Sequence, residues 1–266
     1  MRRPRSRATP SVHERVIGAT LRSRRLPAKW RLGAAAATIA VGMALHASAS
    51  VIEKSMRVAG VDVQYKVVLP DGYDAATPYP AIVVLGGGPQ TMDTVDRTLE
   101  RNFRAEAERR GYVVVAPAAP GGELFFQGGE RIFPAFLKIV LHDYRVEGDK
   151  FHIAGPSNGG IAALHVAAEN PDLFFSVTAF PGYMWEPSEK KLLAISKLCV
   201  YLYVGEDDEY RWHAEMKREA EFLRARGTVA TYSVEPGQPH RIETLAGSSA
   251  ARLFDNFEAT KQGCRR

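Results

Sequence analysis

The sequence predicts an α/β protein whose doubly wound, mostly parallel sheet is flanked by helices. Along the chain, short apolar runs bounded by Gly and Pro alternate with longer amphipathic segments, the pattern of successive βαβ units. One run, Ala81-Ile82-Val83-Val84-Leu85, is apolar throughout, as in a strand buried on both faces of a parallel sheet. With 45% hydrophobic and 24% charged residues the chain can fill a sizeable core, which excludes disorder, collagen-like repeats and a multi-span membrane protein.

The elements follow in order. Val51–Val58 and Val61–Leu69 read as edge-like strands, the second closed by the turn Pro70-Asp71-Gly72-Tyr73. The apolar run at 81–85 breaks into Gly86-Gly87-Gly88-Pro89. Within Thr94–Arg110, Val95, Leu99 and Phe103 recur at helical spacing among charges, and Gly111 ends that helix. Then come a strand at Tyr112–Ala116, a helix at Arg131–Tyr144, a strand at Phe151–Ala154, a helix at Gly159–Glu169 and a strand at Phe175–Phe180. A short helix at Lys190–Lys197 precedes the strand Leu198–Val204. Last come a helix at Trp212–Arg226, a strand at Val229–Val234 and a helix near Ser248–Lys261.

Charge divides the chain. Of 35 Lys+Arg and 30 Asp+Glu, residues 1–49 hold ten basic side chains and only one acid, Glu14, so residues 50–266 carry a net charge of −4. The basic balance of the whole chain therefore gives no reason to expect nucleic-acid binding by the folded part. Residues 32–45 form an uncharged, Ala-rich stretch between the Arg/Lys cluster and His46-Ala47-Ser48-Ala49, the order of a secretory signal peptide cleaved after Ala49. The expected organisation is a signal peptide at 1–49 and one catalytic domain at 50–266, with a secreted or periplasmic product and no stable membrane span after cleavage. An uncleaved anchor, an organelle transit peptide, a twin-arginine route through Arg24-Arg25 and a start codon assigned upstream of the true one are the alternatives.

Cys199 and Cys264 are the only cysteines, too few for a disulfide framework. Cys199 lies within an apolar strand, where the expectation is a buried thiol acting as a small hydrophobe; a bridge to Cys264 is the alternative in an oxidising compartment.

The sharpest chemical signal is Gly155-Pro156-Ser157-Asn158-Gly159-Gly160. Gly-x-Ser-x-Gly between an apolar strand and a small-residue helix matches a nucleophile elbow, in which the serine sits on a strained strand-to-helix turn with its Oγ exposed. Glycine is needed on both sides because a Cβ would clash where helix and strand meet. A serine hydroxyl needs a base to take its proton and a carboxylate to fix that base, in the chain order Ser, acid, His. His240 follows the last strand and is the candidate base. His142 and His165 fall in helices, His152 precedes the elbow, and His213 follows the acid loop too soon. Glu206, Asp207 and Asp208 share the loop after Val204. Spacing after Gly205 favours Asp208, with Asp207 next, the others serving as solvated charges or a cap for the helix at Trp212. The oxyanion of a tetrahedral intermediate needs N–H donors, expected from Asn158 and from Gly87 or Gly88, since Pro89 has none.

These residues resemble the α/β-hydrolase superfamily. Besides the elbow, the resemblance rests on Pro70-Asp71-Gly72-Tyr73, Gly111-Tyr112-Val113-Val114-Val115-Ala116-Pro117 and Val146-Glu147-Gly148-Asp149-Lys150, and spans roughly 61–258. The chain is most similar to lidless secreted esterases of the polyhydroxybutyrate-depolymerase-like, feruloyl-esterase-like and dienelactone-hydrolase-like kinds. The resemblance implies Ser157, Asp208 and His240 as a catalytic triad and a carboxylic ester as substrate. One departure stands out: such proteins usually carry a His-Gly pair at the oxyanion loop, whereas here Leu85 runs directly into three glycines.

Only 17 residues separate Phe180 from Leu198, too few for a lid domain, so an open site is expected, suited to a small-molecule or polymer-end ester. Phe125, Phe126, Tyr183 and Trp185 are aromatic candidates for its walls, with core or loop packing the equal alternative for each. No cofactor or metal is expected: the Gly86–Gly88 loop lacks the Lys-Ser/Thr of a phosphate loop, and the histidines are scattered. A peptidase or an acyltransferase would use the same triad, and a non-catalytic scaffold of the same fold is the reading from another class. The sequence specifies no oligomeric state.

Overall fold

The computed structural model describes residues 51–264; the expected leader at 1–49 lies outside them. Eight strands form one mixed sheet in the order β1-β2-β4-β3-β5-β6-β7-β8. Strands β1 (Val51–Val58) and β2 (Val61–Val68) make an antiparallel hairpin at the edge, and β2 runs antiparallel to β4 (Val113–Pro117). The other neighbours, β3 (Tyr79–Val84), β5 (Val146–Gly155), β6 (Phe174–Ala179), β7 (Cys199–Gly205) and β8 (Ala230–Glu235), pair in parallel.

Alternation along the strands divides the core between the two faces. Ala81, Val83, Val113, Val115, Phe151 and Ile153 point into one cluster, completed by residues of α3 (Phe133–Asp143), α4 (Asn158–Glu169) and α6 (His213–Arg224). Ile82, Val84, Val114 and Ala116 point into the other, beneath α1 (Met92–Thr98), α2 (Arg104–Arg110) and α7 (Ala251–Ala259). The fully apolar run at 81–85 is thus a strand buried on both sides. His152 falls on the second face among Tyr112, Phe175 and Phe257, and Ser176 Oγ lies 2.7 Å from its Nδ1. Burial lowers its pKa to about 3, so this histidine stays neutral.

Two elements differ from the sequence reading. Strand β5 begins at Val146, because Glu147–Lys150 are polar yet continue the strand through a register shift with positive φ at Gly148 and Asp149. The helix expected over 94–110 contains a π-helical turn, Leu99–Phe103, between α1 and α2. The apolar face of Val95, Leu99 and Phe103 stays buried, while Arg101 and Asn102 reach the carbonyl oxygens of Ile242 and Leu245. Between β6 and β7 the only helix among the described residues is the short α5 (Glu189–Ile195), so no lid covers the strand ends. No helix among the described residues is long and apolar enough to cross a membrane.

The cysteines correct an expectation. Cys199, at the start of β7, is bonded to Cys264 as a disulfide rather than standing as a free buried thiol. Apolarity around Cys199 was a sound indication of burial, but 65 residues separate the pair, and only the return of the tail along β8, with Val229 N–H donating to Cys264 O, brings them together.

Candidate active site

The C-terminal ends of the parallel strands β3, β5, β7 and β8 converge, the position where ligands bind in open α/β sheets. At the end of β5, Ser157 takes φ +55° and ψ −125°, a conformation costly for a residue with a Cβ. The turn is enforced by close packing. A Cβ on Gly155 would lie 2.5 Å from Leu85 O, and one on Gly159 would lie 2.1 Å from the same atom. Ser157 N–H donates to Pro181 O at 2.8 Å, which ties the elbow to the end of β6. The serine is therefore held out at the head of α4.

The structure brings Ser157, His240 and Asp208 together. His240 Nε2 lies 2.9 Å from Ser157 Oγ, and its Nδ1 lies 3.1 Å from Asp208 Oδ1. The Asp208 side chain is fully buried; Tyr210 N–H donates to its Oδ1, while its Oδ2 has no hydrogen-bond partner among the described residues. Asp207 and Glu206 are exposed, and among the described residues neither side chain hydrogen-bonds to the imidazole. Their loop instead fastens to the loop that carries His240. Asp207 N–H donates to Gln238 O, Glu206 Oε2 accepts from Gly237 N–H, and Glu209 Oε2 accepts from His240 N–H. Hydrogen bonds from its own backbone N–H and from that of His240 hold the Glu209 carboxyl below the usual carboxylate range. None of these side chains caps α6, whose N-cap is Trp212 without a side-chain hydrogen bond.

The other histidines stay apart from this group. His142 is exposed beside Asp143. His165 is buried on α4, which lowers its pKa, and His213 Nε2 lies 2.7 Å from Gly205 O.

The glycine loop after β3 lies against the elbow: a Cβ on Gly87 would sit 3.2 Å from Pro156 O and 3.7 Å from Ser157 Cβ. Gly88 O accepts from Asn158 Nδ2 at 2.9 Å, and Gly87 O accepts from Gln90 N–H. The backbone N–H groups of Gly87, Gly88 and Asn158 have no partner among the described residues. Gln90, which sequence reasoning missed, is wholly buried at φ +53°. Its Oε1 accepts from Phe125 N–H, its Nε2 donates to Asn158 O, and its backbone oxygen accepts from Ala119 N–H. One side chain thus clamps the glycine loop, the head of α4 and the chain after β4 together.

Beside Ser157 opens a cleft of about 280 Å³ whose floor includes Phe180, Asn102 and Ile242. The four aromatic candidates for its walls take the packing alternative and do not line it. Phe125 and Phe126 are buried, Trp185 packs on Phe126, and Tyr183 packs edge-on against Trp212. Besides Phe180, the rings at the site are Tyr210 and Trp212, whose centroids stand 4.5 Å and 4.7 Å from that of His240. Both lie just after the acid in sequence, so proximity to Asp208 was the available signal. No group of three or more His, Cys, Asp or Glu side chains among the described residues is arranged to hold a metal ion.

Comparison with known proteins agrees with this architecture. Residues 133–254 match the Esterase family model. Over 128 residues, 44% of this chain, the sequence is 31% identical to dipeptidyl-peptidase 5 of Porphyromonas gingivalis, and the match spans about a fifth (19%) of that protein's length. A thermostable esterase superposes with a TM-score of 0.64 at 18% identity, covering 81% of this chain and 63% of the other. An S-formylglutathione hydrolase from Agrobacterium tumefaciens superposes with a TM-score of 0.60 at 18% identity, covering 79% and 94%. With its mixed, mostly parallel sheet, its strained serine turn after β5 and these superpositions, the chain has the α/β-hydrolase fold, and residues 133–254 of it resemble the Esterase family.

Proposed function

We propose that the protein hydrolyses a carboxylic ester through an acyl-Ser157 intermediate. The observation that carries this reading is the continuous hydrogen-bonded series from Ser157 Oγ through His240 to the buried Asp208. With Nδ1–H donating to Asp208, His240 Nε2 is the free lone pair that takes the Ser157 proton as Oγ adds to the ester carbonyl. The oxyanion that forms accepts hydrogen bonds from Asn158 N–H and from Gly87 or Gly88 N–H, each worth roughly 3 kcal/mol to the transition state. His240, now an imidazolium, protonates the departing alcohol. Water then repeats the sequence in reverse and frees Ser157. Asp208 contributes most when the imidazolium exists, because a carboxylate removed from water and left with one unpaired oxygen gains most from a positive neighbour.

The test is turnover of a short-chain chromogenic ester together with covalent labelling by a fluorophosphonate. The wild type should hydrolyse the ester and take the label, and Ser157→Ala should do neither. If the wild type labels no more than Ser157→Ala, the hydrolase reading is wrong.

A second reading, peptide hydrolysis by the same residues, is favoured by the 31% identity to a dipeptidyl-peptidase. Dipeptide nitroanilides assayed beside the ester separate the two. Export, with cleavage after Ala49 leaving residues 50–266 as the mature enzyme, is part of the proposal, and the Cys199–Cys264 disulfide supports an oxidising compartment. Finding Ser50 at the N-terminus of protein recovered outside the cytoplasm would establish it.

A further inference from the structure

The residues lining the cleft beside Ser157 include three arginines, Arg97, Arg101 and Arg241, and no carboxylate among the described residues. This concentration of positive charge lies in a domain whose residues 50–266 carry a net charge of −4. Arg97 and Arg101 stand one helical turn apart across the junction of α1 and the π-helical turn, and Arg241 directly follows His240.

Their existing partners leave two of the three available. Arg101, with its side chain only 19% exposed, is committed to Glu243 at 2.8 Å and to Ile242 O at 3.0 Å. Arg241, 72% exposed, approaches that same Glu243 only to 3.6 Å. Arg97 pairs with Asp93 one turn back on its own helix, and both side chains are exposed, 63% and 74%. Exposed pairs of this kind are weakly held and readily exchanged. A guanidinium offers a planar fork of donors that matches a carboxylate. Phe180 and Ile242, in the same cleft, provide an apolar surface for a carbon chain.

We infer that the substrate is an ester carrying a carboxylate on the limb that occupies this cleft, its apolar stem against Phe180 and Ile242 and its anion on Arg97 and Arg241. This names a substrate class for the active site proposed above and so rests on that reading. The positive cleft also raises the local concentration of such an anion, an effect that falls with ionic strength.

Two pairs of substrates test it. 4-Nitrophenyl hexanoate and the 4-nitrophenyl monoester of adipic acid differ only by a terminal carboxylate on the acyl limb. Phenyl butyrate and the butyrate ester of 4-hydroxybenzoic acid place that difference on the alcohol limb. The expected result is a preference of about tenfold or more in kcat/KM for the anionic member of one pair, shrinking as sodium chloride is added. That ratio should fall towards one in the double variant Arg97→Gln/Arg241→Gln and be retained in Arg218→Gln, which removes an exposed charge on α6. No anionic preference in either pair, or a ratio unchanged in the double variant, overturns the inference while ester turnover and labelling of Ser157 leave the hydrolase reading standing. Calorimetric titration of Ser157→Ala with free adipate decides the matter without turnover. Saturable binding lost in the triple variant Ser157→Ala/Arg97→Gln/Arg241→Gln supports the anion site even if no ester is hydrolysed, and absence of binding counts against it.

Discussion

Gly159 packs so closely against Leu85 that a Cβ added to it would lie 2.1 Å from the Leu85 carbonyl oxygen. The obstacle is backbone of a buried strand end, which no rotamer change can move. Gly159→Ala should therefore cost more than about 3 kcal/mol, at or beyond the upper end of ordinary overpacking, and separate α4 from β3. Chemical denaturation should show a large fall in midpoint or little soluble protein. Gly87→Ala meets Pro156 O at 3.2 Å, Pro156 Cγ at 3.6 Å and Ser157 Cβ at 3.7 Å, none of them a severe overlap. It should fold and lose rate, because its Cβ crowds the space beside the Ser157 hydroxyl. A Gly159→Ala protein as stable as the wild type would contradict the packing argument for the elbow.

That contrast shows which features a sequence can reveal. The elbow was legible because its requirements are local: an apolar strand, a serine and glycines where helix and strand touch, all between Phe151 and Gly160. His240 was legible through its place after the last apolar strand. The choice among Glu206, Asp207 and Asp208 needed the path of a turn, and the hydrogen bonds from Asp207 N–H and to Glu206 Oε2 explain why the loop presents its third residue inward. Features made by contacts between distant segments were not legible. Gln90 reads as an ordinary loop residue until Phe125, Ala119 and Asn158 surround it. The π-helical turn leaves the apolar spacing of Val95, Leu99 and Phe103 intact, so periodicity could not expose it. For Phe125 and Phe126 the sequence leaves cleft wall and core packing equally open, and their burial beside Phe133 and Trp185 is a tertiary outcome.

Asp208→Asn should fold and lose activity by roughly 10⁴-fold, since an amide facing Nδ1 favours the wrong imidazole tautomer. Asp207→Asn should change kcat/KM less than about twofold, because its link to the His240 loop is made by its backbone N–H and its carboxylate is exposed. Steady-state kinetics of the two variants with one ester decides the assignment. Equal losses in both would remove Asp208 from the proposed triad.

The disulfide closes a 65-residue segment that contains both Asp208 and His240. By loop-closure entropy a bridge over that span stabilises the fold by about 4 kcal/mol. Cys264→Ser should lower stability by roughly that amount, and a thiol reductant should bring the wild type to the same point without affecting the variant. Thermal unfolding with and without reductant measures both. A melting temperature insensitive to reductant would show that the bridge contributes nothing to the native state.

Two buried glutamates should give stability opposite dependences on pH. Glu235, at the end of β8, accepts from Arg252, Thr244 and Ser233, and these hydrogen bonds, with Arg252 foremost, depress its pKa to about 2. Its folded pKa lies below the ordinary 4.5, so its contribution is present above that value and lost as pH falls from about 4.5 to about 2. Glu219 on α6 is buried with only Met184 N–H donating to it, and burial raises its pKa to about 7. Here the folded state holds the proton more tightly than the unfolded chain, so stability is greatest below about 4.5 and declines as pH rises to about 7. Glu219→Gln keeps an acceptor for Met184 N–H and avoids burying a charge, so its melting temperature should gain on the wild type steadily through that interval. Glu235→Gln leaves Arg252 without its carboxylate and should cost about 2 kcal/mol at neutral pH, a deficit that narrows below about pH 4.5. Melting temperatures of the three proteins between pH 2 and pH 8 test both signs, and parallel curves would mean that neither carboxylate titrates differently in the folded and unfolded chain.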